Sequence, residues 1–403
     1  MARRVAITGV GALCGLGATT PECWAALSAG RSAITELEER SQGTRIRVGA
    51  VAPEIDLEQQ FPPEALPLLD RFSQFAVIAA REALADSGVN KNPDLLQRAG
   101  AVIGTGCGAK QTDEEAYRLL YKAGETRVHP LTIPKGMPSA AASMVSQDLG
   151  IRGPVFSVAS ACASGAHAII QGYLMIKAGL VDVALVGGTD APFTYGLMKA
   201  WEALRVVSNE TCRPFSKDRS GMVLGEGAGM LVLEEETHAL QRGARVYAEL
   251  AGCGMSSDAG HITRPDVDGI AVAIRNALTD ACVPTDSVDY VNAHGTGTLA
   301  NDLAETEALH RVFGSHAKHL AVSSTKSMHG HALGASSALE VIATTLAVHN
   351  SLIPPTANFT DPGEGCDLDY VPNETRKRRI QVAISNAFAF GGLNAVVVVK
   401  RPD

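Results

Sequence analysis

Residues 153 to 180, GPVFSVASACASGAHAIIQGYLMIKAGL, change periodicity within a few residues, so a strand must feed almost directly into a helix. Val155 to Ser160 is rich in β-branched and small residues and is opened by Gly153 and Pro154, which reads as a short strand. From Ala163 onward Ile169, Ile170, Leu174 and Ala178 return at helical spacing, and Gly179 is a stop signal. Cys162 therefore stands at the junction, near the first turn of an apolar helix. A helix N-terminus carries unpaired N–H groups and positive partial charge, which favour a thiolate and would receive an oxyanion. The small neighbours Ala161, Ala163, Ser164 and Gly165 allow a sharp turn and close approach of a substrate, in the manner of a nucleophile elbow. A cysteine among alanines is equally what a small buried hydrophobe looks like, and this stretch alone favours that plainer reading.

The second half shifts the balance. Residues 290 to 302, YVNAHGTGTLAND, place His294 after an apolar run and before a Gly/Thr loop. Residues 320 to 340, LAVSSTKSMHGHALGASSALE, place Lys326 and His331 between a strand and another small-residue helix. Strand ends are where open α/β sheets hold their ligands. One nucleophile and two imidazoles at such positions form a Cys-His-His set. The segment FSVASACASGAHAIIQGYLMIKAGL and the segment LAVSSTKSMHGHALGASSALEVIATTLAV also echo each other as strand, polar turn and small-residue helix, which suggests a duplicated α/β unit.

Taken together the chain resembles the β-ketoacyl-acyl carrier protein synthases, the type II condensing enzymes and polyketide ketosynthases of the thiolase-like superfamily. The matching pieces are SACASG around Cys162, RPFSKDRSGMVLGEGAG (213 to 229), GMSSDAGH (254 to 261), NAHGTGT (292 to 298), STKSMHGHALGA (324 to 335) and NAFAFGGLN (386 to 394). The resemblance implies a five-layered α-β-α-β-α fold built from two related halves. Residues 1 to 250 would carry the nucleophile and 251 to 403 the two histidines. It implies a decarboxylative Claisen condensation without metal or cofactor. In that reading Cys162 is acylated, His294 and His331 stabilise an enolate, and Lys326 supports them electrostatically, paired with Glu340. The backbone N–H groups of Cys162 and of the gate residue Phe390 form the oxyanion hole, Thr296 and Thr298 hold the phosphopantetheine arm, and Asp258 and His261 lie on a loop facing the gate. Arg127 and Arg205 match positions that dock an acyl carrier protein. The implied assembly is a homodimer, or a heterodimer with a chain-length-factor-like homologue.

Several positions depart from the family pattern. Ala389 and Leu393 flank the gate where Gly and Thr are usual, and an alanine would resist positive φ. His329 replaces a Thr or apolar residue. In the acyl pocket Cys107, Thr132 and Trp201 replace bulky aliphatic and aromatic side chains, which points to unsaturated or functionalised acyl chains. The segment PPEALPLLDRF has lost the family's basic cluster except for Arg71.

Composition sets outer bounds. The 403 residues suffice for two core-sized units, and 46% hydrophobic with 19% charged residues is ordinary globular composition. A net charge of −8 argues against nucleic acid as a partner and makes an acidic carrier dependent on a local basic patch. The eight cysteines show no CxxC, which favours a reducing cytoplasm over disulfides or zinc, and no run reaches transmembrane length. The start, MARRVAITGVGALCGLG, reads as a first strand and a Gly-rich loop rather than a signal peptide. Residues 31 to 68 read as a surface excursion, and 226 to 234 with 246 to 254 as paired strands. The main rival is a short-chain oxidoreductase, from Thr8-Gly9-Val10-Gly11 and the spacing of Ser160, Tyr173 and Lys177. Cys14 stands where its third glycine belongs, however, and the second half would have no purpose. A metal site on His329 and His331 has no third ligand at a convincing spacing. A non-catalytic partner subunit is excluded by the presence of Cys162 itself.

Overall fold

A computed structural model describes residues 3 to 402. One element order occurs twice along the chain. The first run is β1 (Val5–Cys14), α1 (Arg71–Ser87), β2 (Gly100–Gly104), α2 (Ala140–Leu149), β3 (Val155–Val158), α3 (Ser164–Lys177), β4 (Val183–Asp190) and β5 (Gly227–Glu235). The second is β6 (Ala248–Ser257), α4 (Val267–Asp280), β7 (Tyr290–Asn292), α5 (Leu299–Phe313), β8 (Ala321–Ser323), α6 (Gly334–Asn350), β9 (Val382–Ala389) and β10 (Leu393–Lys400). The strands follow the order β3-β2-β4-β5-β1-β6-β10-β9-β7-β8. Each strand of one half thus has its counterpart at the mirrored place in the other. In both halves the outer three strands run parallel and the inner pairings are antiparallel. The halves join where Val5–Ile7 of β1 pairs with Ala248–Leu250 of β6. The duplication that two short segments suggested is a property of the whole topology. The second run opens at Ala248, so residues 250 and 251 both lie inside β6.

Hydrophobic burial stacks these elements as five layers. α3 and α6 lie between the two halves of the sheet, α1 and α2 cover one outer face, and α4 and α5 cover the other. A strand covered on both faces must be largely apolar, and VALVGGTD of β4 is buried at every position, its polar last two residues included. The middle layer leaves little room. A Cβ on Gly165 would stand 2.7 Å from the Gly334 carbonyl oxygen and 2.9 Å from the Ala338 nitrogen. That contact is the physical reason for the run of Ala, Ser and Gly at the starts of both helices.

Three expectations are corrected. The Gly-rich stretch after residue 8 is not a loop, because β1 continues to Cys14. Gly9 and Gly11 are where α1 presses on the strand, since a Cβ on either would strike the Ala83 or Ala79 carbonyl. The backbone N–H groups of Val10 and Ala12 donate to Asp86 (3.0 Å) and Glu82 (2.9 Å) of the same helix. These glycines serve helix-to-strand packing, not a phosphate. Next, β5 and β6 do not pair with each other, because β1 runs between them and pairs with both. Finally, residues 31 to 68 are more than a surface excursion, because Leu37 and Ile46 are buried with Phe193, Met198, Met222 and Leu224.

The middle-layer contact yields a stability prediction. Gly165→Val should cost about 1–3 kcal/mol or more by overpacking, measured as a fall in the urea midpoint. Gly136→Ala, whose new Cβ would find its nearest neighbour at an ordinary 3.6 Å, should stay within about 0.5 kcal/mol of the parent. Equal midpoints for the two variants would contradict this account of the layer.

Candidate active site

The chain leaves β3, passes Ala161–Ala163 as a single 3-10 turn and enters α3 at Ser164. Ala161 holds φ at 48°, a left-handed value that costs an alanine of order 1 kcal/mol. Ser164 pins the turn, accepting from the Ser160 N–H at 2.9 Å with its Oγ 2.6 Å from the Ala161 carbonyl. The second half repeats the device, with Leu333 at φ 49° directly before α6. Cys162 and His331, which precede the two central helices, thereby reach one cavity.

The helix-end position of Cys162 is opposed by its burial. Burial pushes its thiol up to about 11, against the pull of the Lys326 ammonium and of the Phe390 and Cys162 backbone N–H groups. Desolvation is the larger effect here, so the thiol is held protonated at neutral pH. Those two N–H groups lie beside the sulfur, next to where the oxyanion of an attacked thioester would form.

The histidines have defined protonation. His331 Nδ1 accepts the Leu333 N–H at 3.1 Å, so its ring proton sits on Nε2. His294 Nδ1 lies 3.3 Å from Lys326 Nζ, and an ammonium can only donate, so Nε2 again carries the proton. Burial, followed by the Lys326 charge, holds both imidazoles well below the usual histidine range and therefore neutral. Their rings sit 5.7 Å apart at 88°. Lys326 is wholly buried, donates to the His294 carbonyl at 2.6 Å and forms an ion pair with Glu340. Its three protons are thus directed at His294 Nδ1, the His294 carbonyl and Glu340, the last pushed up to about 7 by its own burial.

The structure brings together most, not all, of the residues singled out from the sequence. Cys162, His294, His331, Thr296, Thr298, Trp201 and Phe390 line one cavity. Thr296 and Thr298 share a 2.8 Å contact between their hydroxyls. Asp258 accepts from the Asn394 side chain at 2.6 Å, and its N–H donates to the Gly392 carbonyl at 2.9 Å, tying its loop to the gate turn. His261 is exposed, and its contact is with Thr263 rather than the cavity. The concern over Ala389 is not met. That residue is extended in β9, and the positive φ values fall on Gly391 (84°) and Gly392 (69°). Cys107 packs in the apolar cluster that includes Trp201, its sulfur 3.1 Å from Asp190. Thr132 lies away from the cavity, on a separate depression with Leu119, Val128 and His129. His329 is buried away from the cavity beside Cys14, Cys23 and Trp24, and held neutral with a value of about 3, chiefly by burial. Arg127 and Arg205 are exposed, whereas Arg71 is engaged by Glu226 at 2.7 Å and 3.0 Å.

Three buried carboxylates at the site were missed from sequence. Glu305 accepts from the His294 and Gly295 N–H groups at 2.9 Å and 2.8 Å. Asp302 accepts from Phe215 N–H at 2.8 Å and Gly297 N–H at 3.2 Å. Asp190 accepts from the Gly106 N–H at 2.7 Å and the Gly334 N–H at 2.6 Å, joining the two halves. For the first two the signal was present: two acids three residues apart, opening a helix just after a glycine loop. The oxidoreductase set is not assembled. Ser160 Oγ meets His167 at 2.8 Å, while the buried Tyr173 donates to Asp280 at 2.9 Å as a tie between halves. Among the described residues no group of three or more His, Cys, Asp or Glu is arranged to hold a metal, and no helix is long and apolar enough to cross a membrane.

Known proteins place this geometry. Residues 2–239 match the β-ketoacyl synthase N-terminal domain and residues 247–360 its C-terminal domain. Nodulation protein E of Rhizobium sp. (strain N33) is 50% identical over 405 residues, covering 100% of both chains. A 3-oxoacyl-[acyl-carrier-protein] synthase 2 of Coxiella burnetii is 42% identical over 99% of both. The solved ishigamide ketosynthase/chain length factor superposes with a TM-score of 0.95 at 35% identity, covering 100% of each chain. With a protonated thiol and two neutral imidazole donors sharing a cavity between duplicated halves, and with both domains matched in order, the chain belongs to the β-ketoacyl synthase family.

Proposed function

We propose that Cys162 takes an acyl group from a carrier-bound thioester and that His294 and His331 support the decarboxylation of malonyl-carrier protein which extends it. The observation that carries this reading is the pair of neutral imidazoles, each fixed with its proton on Nε2, in the cavity of a cysteine. In the first stage Sγ attacks the thioester carbonyl, the carrier thiol leaves with the thiol proton, and the Cys162 and Phe390 N–H groups receive the oxyanion. In the second, the malonyl carboxylate departs as carbon dioxide and its bonding electrons form an enolate. The two Nε2–H groups donate to the enolate oxygen. The enolate carbon then attacks the Cys162 thioester, and the sulfur leaves as a thiolate that takes up a proton from solvent, replacing the one lost with the carrier thiol. A neutral donor suits this step because it stabilises charge without quenching the carbanion. Lys326 and Glu340 act one step back, holding His294.

In this reading residues 1 to 250 supply the nucleophile and 251 to 403 the donors, Thr296 and Thr298 hold the pantetheine arm, and Arg127 and Arg205 meet the carrier. A cytoplasmic setting fits eight free cysteines, of which Cys14 and Cys23 remain unbridged at 3.7 Å. The partner is a second copy or a chain-length-factor-like homologue, in keeping with the ketosynthase/chain length factor that the chain resembles. Cys107 and Trp201 favour acyl chains bearing unsaturation or polar groups over plain alkyl chains.

Three outcomes are expected. Cys162→Ala should abolish acyl transfer while Cys162→Gln still decarboxylates malonyl-carrier protein, both read by intact mass. Acylation mapped to another cysteine would refute the assignment. His331→Ala should slow decarboxylation about 10²–10³-fold, as for loss of one oxyanion donor, with acylation of Cys162 affected less. An unchanged decarboxylation rate would remove His331 from the step. Since ionisation of Cys162 is centred near pH 11, its alkylation by iodoacetamide should rise about tenfold per unit between pH 7 and 9. A plateau near pH 7 would mean that the helix terminus outweighs burial after all.

A further inference from the structure

Two thiols that the reaction does not use lie against each other behind the turn that carries Lys326. Cys14 ends β1, Cys23 stands in the helix Thr20–Ser28, and their sulfurs are 3.7 Å apart in a hydrogen-bonded contact. Both line one small, mostly apolar cavity with Leu16, Trp24 and His329. The two sulfurs differ in their surroundings. Cys23 Sγ faces the Gly17 carbonyl at 3.4 Å and the Ala12 carbonyl at 3.9 Å, acceptors that oppose a thiolate there. Cys14 instead receives hydrogen bonds from Cys23 and from the backbone N–H groups of Leu16 and Gly17. These outweigh its burial and hold its thiol below the usual cysteine range, while the same contact raises Cys23 far above it. Cys162 is pushed the other way, up to about 11. Since the thiolate is the form that attacks an oxidant, Cys14 is better poised for oxidation than the nucleophile itself.

We infer that Cys14 and Cys23 are a redox modification site, joined as a disulfide by a hydroperoxide and released again by thiols. The Cys14 thiolate attacks one peroxide oxygen, the O–O bond breaks, and the departing oxygen leaves as an alcohol or, from hydrogen peroxide, as water. The sulfenic acid so formed is then attacked by Cys23 sulfur. The S–O bond breaks, and the hydroxide leaves as water with the Cys23 proton. Two thiols are oxidised and one peroxide is reduced. The bond also has a mechanical consequence, because it closes the sulfurs from 3.7 Å to about 2.05 Å. Drawing Cys23 toward Cys14 pulls on the helix Thr20–Ser28, whose Leu27 packs with Met328 beside Trp24. Met328 belongs to the turn Lys326–His329, and the Met328 carbonyl accepts the Ala33 N–H just beyond that helix at 2.9 Å. Oxidation therefore disturbs the segment that holds the buried ammonium and leads into His331. This consequence rests on the reading of His331 as an enolate donor, whereas the disulfide does not.

The test treats the protein with hydrogen peroxide and maps every cysteine by iodoacetamide alkylation and peptide mass. The peptide carrying Cys14 and Cys23 should lose two hydrogens and escape alkylation before Cys162 gains oxygen, and dithiothreitol should restore both thiols. Cys14→Ser and Cys23→Ser should each prevent the bridge, and in Cys23→Ser the sulfenic acid on Cys14 should be trapped by dimedone. Cys162→Gln keeps oxidation of the nucleophile out of the kinetic readout. In that protein bridging should slow decarboxylation of malonyl-carrier protein about tenfold or more, and adding Cys23→Ser should remove the sensitivity. Sulfinic acid accumulating on Cys14 beside a free Cys23, or oxidation of Cys162 ahead of the pair, would overturn the site. A bridged protein that decarboxylates at the unbridged rate would overturn its link to the catalytic turn. If reduced Cys162→Gln fails to decarboxylate, the enolate reading is what fails, and the peptide map still decides the disulfide.

Discussion

The approach of α3 to α6 in the middle layer is the constraint on which the other features depend. Gly165 and Gly334 let the two helices touch backbone to backbone between the halves of the sheet. Because the halves are copies, the residues that lead into these helices arrive from opposite sides at one place. Cys162 comes from the first copy and His331 from the second, each beside a residue held at positive φ. Asp190 then locks the arrangement, accepting N–H groups from the loop after β2 and from the start of α6. Larger side chains at the crossing would separate the helices, and the cysteine would lose its histidine.

The same closeness sets the protonation states. A deeply buried site penalises every charge, which favours the thiol and both imidazoles as neutral groups. Lys326, a wholly buried cation, is bound by Glu340 and by two atoms of His294. Its field opposes protonation of either ring while favouring charge on the sulfur. In the proposed mechanism a buried ammonium would thus serve both stages without touching a substrate. Glu305, behind His294, fixes the backbone on which that ring is mounted. Removing either carboxylate would leave buried donors unpaired, which is more costly than never having had them.

The cavity mouth follows a different rule. Phe390 sits on a turn whose freedom resides in Gly391 and Gly392, and Asp258 ties that turn to the loop preceding α4. That turn and the loop are thus one hydrogen-bonded unit, and Trp201 stacks on its Phe390. Thr132 lies outside this arrangement.

Local pattern was enough to read the strand-to-helix junction at Cys162, the positions of His294, Lys326 and His331, and the hint of duplication. Each of these is written within about twenty-five consecutive residues as period, small side chains and turn glycines. What failed needed partners distant in the chain. Gly9 and Gly11 looked like a loop because the α1 carbonyls that require them come some seventy residues later. Asp190, Asp302 and Glu305 looked like ordinary acids because the N–H groups that they accept belong to other loops. Tyr173 could be set aside as a catalyst from sequence, but its partner, Asp280 of the other half, could not be read there. The effect of burial on Cys162 was hidden for the same reason. A helix terminus can be read from sequence, whereas desolvation depends on every layer packed around it, and only the tertiary structure decides how much water remains.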